Sequence, residues 1–189
     1  IDIYDAAMDP PQHLGSIPFK VGMKVMNVAT LPCSAAASEI EVAVDIKPGG
    51  CPNPLNVKSR GVLPVAILGT EDFDVMDIDP STIRLEVEGE AEGVRPLRWK
   101  LRDVATPYNA DTMRGDCRDC TRKGRDGFLD LTLKFKTQDV VKAIGAVKNR
   151  DCLVLVFTGE TFDGTPIVGD DVVRIIKKKK KKNSKQLFK

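Results

Sequence analysis

The sequence contains one histidine, His13, and one tryptophan, Trp99. A single His argues against His-based catalysis and against His-rich metal sites. Aromatic residues make up only 5% of the chain. The core must therefore come from Val, Ile and Leu, and the β-branched members of that set favour strands. No apolar run approaches the roughly 18 residues that would span a bilayer, which excludes a membrane helix. No Asn is followed two places later by Ser or Thr, so there is no N-glycosylation acceptor. Acidic residues are absent from Lys177 to Lys189, a stretch with eight lysines. Without it, 21 basic and 27 acidic residues remain, a net charge of −6 against +2 for the whole. An acidic body carrying a basic tail suits cations and argues against nucleic acid as the body's partner.

Five cysteines, Cys33, Cys51, Cys117, Cys120 and Cys152, allow two disulfides and a leftover thiol. A chain opening on Ile1 fits a processed or partial product. Met23 to Ser38 faintly resembles a signal peptide, although Asn27 and Pro32 interrupt its apolar part.

Proline marks residues 1–39 as an arm or linker, with one strand expected around Phe19 to Val28. The body, 40–176, reads as short strands separated by turns. Ile40 to Ile46 alternates with period two, and Lys47-Pro48-Gly49-Gly50 ends it. Residues 51–60 read as a proline-rich loop. Val62 to Leu68 is a continuous apolar run expected to be buried on both sides, with Pro64 implying an edge or a bulge. Further strands are expected at Ile83–Val87, Leu97–Leu101, Leu129–Phe135, Cys152–Thr158 (also buried) and Val172–Ile176. One helix is expected over Gln138–Ile144, with Thr137 as N-cap and Gly145 as C-cap. Seven or eight strands and one short helix predict an all-β, antiparallel β-sandwich. Residues 177–189 form a lysine-rich tail.

The chemistry concentrates between Asp103 and Asp130. Asp103, Asp111, Asp116, Asp119, Asp126 and Asp130 fall in this span, which closes with Asp126-Gly127-Phe128-Leu129-Asp130. Calcium takes six to eight oxygen ligands, and an aspartate loop with a glycine at its bend can supply them. The competing reading is a polar loop whose aspartates favour turns. Cys117-Arg118-Asp119-Cys120 has C-x-x-C spacing. A redox role would need a βαβ setting, and zinc would need two more ligands, with Cys51 and Cys152 the candidates. A disulfide stapling this region fits an exported protein, and Cys51–Cys152 is a further pairing. Asp72, Asp74, Asp77 and Asp79 read more simply as turn residues. Asn53, Asn56 and Ser59 read as loop fasteners. Glu160 and Asp163 are near enough in sequence to suggest a glycosidase pair, but Trp99 alone offers a Trp platform, and its alternating setting points to the core.

The stretch Val44 to Gly69, VDIKPGGCPNPLNVKSRGVLPVAILG, resembles a domain family widespread in secreted bacterial and archaeal proteins. The resemblance continues through Thr70 to Arg84, Arg98 to Val104, Gly127 to Leu131, Phe135 to Asp139 and Thr158 to Ile167. It spans about 130 residues. In the common form of the family a compact D-V-N-G-D-G-x-x-D-L loop resembles dockerin calcium loops, and Asp103, Asp126, Gly127 and Asp130 match it. This chain departs by inserting Ala105 to Arg125. The resemblance implies calcium binding, secretion and an accessory or structural role without enzymatic activity. The expected ligands are Asp103, Asp126 and Asp130, with Asp111, Asp116 and Asp119 as candidates from the insertion. The expected role is a self-associating module, built through the arm and the basic tail, which can extend into filaments. The alternative is a calcium-dependent carbohydrate-binding domain, and the tail would suit an acidic polysaccharide.

Overall fold

The computed structural model describes residues 38–86, 93–108 and 116–177. The arm (apart from 38 and 39), the leader-like stretch up to residue 37, His13, Cys33, Asp111 and the tail from 178 onward lie outside these residues.

Nine strands and one helix make up the described body. They are β1 (Ile40–Glu41), β2 (Val44–Ile46), β3 (Asn53–Asn56), β4 (Val62–Ile67), β5 (Ile78–Glu86), β6 (Arg98–Leu101), β7 (Leu131–Lys136), α1 (Thr137–Ala143), β8 (Cys152–Thr161) and β9 (Pro166–Ile176). One sheet has the order β1-β9-β8-β5, with β3 also on β9; the other has β2-β4-β7-β6. This is the expected all-β sandwich, with more strands than the expected seven or eight. It is antiparallel except that β1 and β3 run parallel to β9.

The extra strands have a local cause. The alternating run Ile40 to Ile46 is not one strand. Ile40 and Glu41 pair with β9, whereas Val44 to Ile46 pair with β4 in the other sheet. Val42 stays with β9 through its N–H to Val168 O at 2.7 Å, so the chain crosses between sheets just after it. Gly169 permits the crossing. A Cβ there would collide with Val42 O and stand 2.6 Å from Val44 Cγ2. β3 lies inside the expected proline-rich loop, and Leu55 within it is buried.

Pro64 is not at an edge, because β4 has β2 on one side and β7 on the other. Its missing N–H does no harm. The β2 ladder stops at Ile46 opposite Val65, and Pro64 accepts from Lys47 N at 2.9 Å as the chain turns away at positive φ. β4 is covered on both faces only toward its end, because Val62 at its start is exposed. Leu63, Val65 and Ile67 enter the main core, and Ala66 and Leu68 pack with Ala105 on the other side. β8 is covered on one face only, since Leu155 and Phe157 are buried while Val154 is exposed. The core centres on Phe135 and Phe157, whose rings are 5.7 Å apart. α1 starts at Thr137 after an N-cap, Lys136, that gives no side-chain hydrogen bond, so Thr137 is its first residue rather than its cap. Gly145 follows at φ 67°, the left-handed turn that ends a helix.

Trp99 departs furthest from expectation. Its alternating neighbours predict a core position, but it is 49% exposed. β6 is a sheet edge. Trp99 and Leu101 pair with the buried Leu133 and Leu131 and share their face, yet all four β6 residues are exposed. The alternation is real. The layer that would cover it is absent among the described residues.

Candidate functional site

The two ends of the insertion meet at one end of the β4-β7 sheet. Asp103 accepts from Asp126 N at 3.3 Å and Gly127 N at 3.0 Å. Asp126 caps its own turn by accepting from Phe128 N at 3.1 Å, and Gly127 holds φ 102°. Asp130 is fully buried. It accepts from Val104 N at 2.6 Å, Ala105 N at 3.2 Å and Gly69 N at 3.2 Å. Burial raises its pKa, the three amide donors oppose that rise, and the charge of Asp103 adds to it. Asp130 thus ties the end of β4 to both sides of the split loop. Among the described residues, no three His, Cys, Asp or Glu side chains are gathered so as to hold a metal ion. The loop closes on amide donors and does not present a ready three-carboxylate cage.

The insertion is fastened to the body by two disulfides, Cys51–Cys120 and Cys117–Cys152. The four candidate cysteines are therefore all used, but neither expected pairing occurs. Cys117 and Cys120 point to different partners, and Cys51 does not meet Cys152. The Asp116–Asp119 turn explains this: Asp119 N donates to Asp116 O at 3.0 Å, and Arg118 N to Asp116 Oδ1 at 2.9 Å. Arg122 Nη2 adds a bond to Cys51 O at 2.6 Å. Such a stapled insertion leaves no free C-x-x-C thiols for redox work or zinc.

Held in this way, the insertion forms one wall of a cavity of about 460 Å³. Thr106, Tyr108, Asp119 and Thr121 line that wall; Glu41, Asp45, Asp170 and Asp171 line the other, from β1, β2 and β9. Asp119 is the described inserted acid that faces the cavity, and it lies there rather than with Asp103 and Asp126. Asp171 joins the two sheets, because its Oδ2 accepts from Ile46 N at 2.5 Å and from Asn53 Nδ2 at 3.0 Å. Asp45 is 6% exposed, and its Oδ2 has no hydrogen-bond partner. Burial and then the charge of Asp130 push the Asp45 pKa up to about 6. Burial pushes Asp171 up to about 7, opposed by the amides of Ile46 and Val172 and reinforced by Asp45 and Asp170. A row of interacting carboxylates thus runs from Asp103 through Asp130 and Asp45 to Asp171 and Asp170.

Sequence pattern alone does not reveal this cavity. Its signal is Asp171, which shares the inward face of β9 with Val173 and Ile175 and pairs with the buried Leu155. An acid where period two requires an apolar residue marks a buried charge that needs a partner.

Glu160 lies within β8, whereas two acids of the 72–79 cluster fasten turns. Asp74 caps a short 3-10 turn by accepting from Met76 N, and Asp79 accepts from Ser81 N. Asp163 accepts from the Thr161 hydroxyl and from Thr165 N, which hold its carboxyl below the ordinary range. A general acid needs the opposite shift. Among the described residues no helix is long and apolar enough to cross a membrane. Compared with known proteins, the chain matches no family model, no curated protein and no solved structure.

Proposed function

We propose that this chain is an extracellular, non-enzymatic β-sandwich that acts as a structural, self-assembling module and is stabilised by calcium. The observation that carries the reading is the uncovered edge at β6. Leu97, Trp99 and Leu101 are 59%, 49% and 40% exposed there, on a strand with no further partner strand among the described residues. Monomeric proteins usually blunt such edges, and an extended segment from another copy can add a strand to one. The arm, residues 1–39, is the proposed donor, and the basic tail is proposed to dock on an acidic body. A head-to-tail contact of this kind continues into filaments when its rotation does not close. Two disulfides support an oxidising compartment. The Asp103–Asp126 turn supports calcium in kind, since its carboxylates are pre-set by amide donors. Asp103 and Asp126 would hold the ion and Asp130 would orient them, and a bound cation would relieve repulsion along the carboxylate row.

Sedimentation of the full chain with calcium tests the reading. Concentration-dependent oligomers are expected, and either Trp99→Glu or deletion of residues 1–39 should return them to monomer. A parent that stays monomeric overturns it. A second reading draws on the same exposed Trp99, which stands beside Arg98 in a cleft that could stack a sugar ring. Glycan binding that chelator abolishes and Trp99→Ala removes, without oligomers, would favour a carbohydrate-binding domain.

A further inference from the structure

We infer that the cavity between the insertion and the β2–β9 edge is a second cation site, taking a hard divalent ion such as calcium through Asp45 and Asp171. It is separate from the Asp103–Asp126 loop. The cavity lining includes five acids, Glu41, Asp45, Asp119, Asp170 and Asp171, and no Lys, Arg or His among the described residues. An acidic lining alone would not suffice. The second observation is Asp45, more than nine-tenths buried, with an oxygen that no donor reaches. A buried carboxylate must be protonated or find a positive partner, because its desolvation is otherwise uncompensated. Asp171 lines the same cavity from the other sheet, and its two oxygens are oriented there by Ile46 N, Asn53 Nδ2 and Val172 N. A cation in the cavity would answer the unpartnered Asp45 and share the oriented Asp171.

The chemistry selects the ion. The polar lining is oxygen-based, and the one sulfur residue there, Cys120, is locked in a disulfide. Oxygen-only sites favour calcium or magnesium over zinc or copper. The cavity, at about 460 Å³, has room for an ion with several waters, each occupying about 30 Å³. Calcium accepts such a mixed shell of carboxylates, carbonyls and water, whereas magnesium demands a tighter octahedron. Two carboxylates completed by water and carbonyls, without a three-acid cage, imply an affinity in the range of about 10⁻⁴–10⁻³ M found in extracellular modules. The insertion supplies one wall, and the two disulfides keep it there.

Tyr108 lines the cavity and provides the assay. Terbium, a luminescent stand-in for calcium, is titrated into the full chain with excitation of tyrosine. Sensitised emission is expected, with displacement by millimolar calcium. Tyr108→Phe should abolish the emission while calorimetry still shows calcium binding. Asp45→Asn and Asp171→Asn should each weaken terbium binding at least tenfold, and Asp126→Ala should leave it unchanged. Asp45→Asn replaces an unpartnered oxygen, so in EDTA it should melt no lower than the parent, which separates lost binding from lost folding. The inference is overturned if emission survives Tyr108→Phe, if calcium fails to displace terbium, or if Asp45→Asn binds as tightly as the parent. A cavity filled instead by a lysine from another copy would give no sensitised emission, which overturns the inference as well. None of these results touches the loop reading, which stands or falls on Asp126→Ala.

Discussion

Replacing Asp130 with alanine should cost the fold about 3 kcal/mol, and that loss should already be present without calcium. Three amides, of Gly69, Val104 and Ala105, end on its two oxygens. The Gly69 and Ala105 bonds are buried and the Val104 bond is partly buried. Leaving a buried donor unsatisfied costs about 1–3 kcal/mol, so three donors put the gross loss at about 3–9 kcal/mol. Part of it is returned, because alanine also removes a buried charge repelled by Asp103 and one that repels Asp45. A net loss of about 3 kcal/mol is a large share of the usual 5–15 kcal/mol of stability. For a domain of this size it should lower Tm by on the order of 10 °C. Asp130→Asn keeps one acceptor oxygen and should lose roughly half as much. Urea unfolding followed by far-UV circular dichroism, in EDTA and again in calcium, measures it. A loss under about 1 kcal/mol in EDTA would refute the pinning role. A loss present only with calcium would make Asp130 chiefly a metal ligand.

The other predictions concern charge, covalent ties and close packing. The carboxyls of Asp45 and Asp171 have folded pKa values raised from 3.8 to about 6 and about 7. Their contribution to stability is therefore fully present below about pH 4 and is lost as pH rises through 6 to 7. For Asp45 alone this is about 3 kcal/mol at pH 7. Melting curves in EDTA from pH 4 to 8 should show this component, and Asp45→Asn should flatten it; an unchanged slope would remove Asp45 as its source. Non-reducing peptide mapping should recover Cys51 with Cys120 and Cys117 with Cys152, and a Cys117–Cys120 peptide would contradict the fold of the insertion. The two ties close spans of 69 and 35 residues. Each should stabilise by about 4 kcal/mol, so reductant should lower Tm sharply. Gly169→Ala would drive a Cβ into Val42 O, a backbone atom that cannot turn aside. It should destabilise by about 1–3 kcal/mol in urea titration, and a neutral result would mean that the β1–β2 crossing is looser than described.

Local pattern carried much of the fold and little of the site. Leu63, Val65, Leu131, Leu133 and Phe135 announce themselves through alternation, and alternation is what a strand with one buried face requires. Ile40 to Ile46 misleads for the same reason. Period two continues unbroken across a change of sheet, because the change swaps hydrogen-bond partners without rotating the inward face. Asn-Pro-Leu-Asn of β3 has too little β-propensity to be read as a strand, and its pairing with β9 is supplied by tertiary context. Trp99 shows the limit from the other side: a pattern says which face a residue shares, not whether anything covers that face. Disulfide pairing is a matter of three-dimensional proximity, and Cys117 and Cys120, three residues apart on a turn, end up facing different parts of the body.

The segment between Asp103 and Asp126 also builds the cavity. Asp103 reaches Asp126 and Gly127 although residues 105–125 separate them in the sequence, so the two ends of that segment are held together. The residues between them fold elsewhere, and Cys51 and Cys152 tie them over β2 and β9. There Ala105 covers Ala66 and Leu68, while Asp119 and Tyr108 face Asp45 and Asp171. Asp119 brings a further carboxylate to a lining that already holds Asp45 and Asp171. Asp119→Asn therefore discriminates: it should weaken the stabilisation of the protein by calcium. A wall that serves only as packing would show no such change.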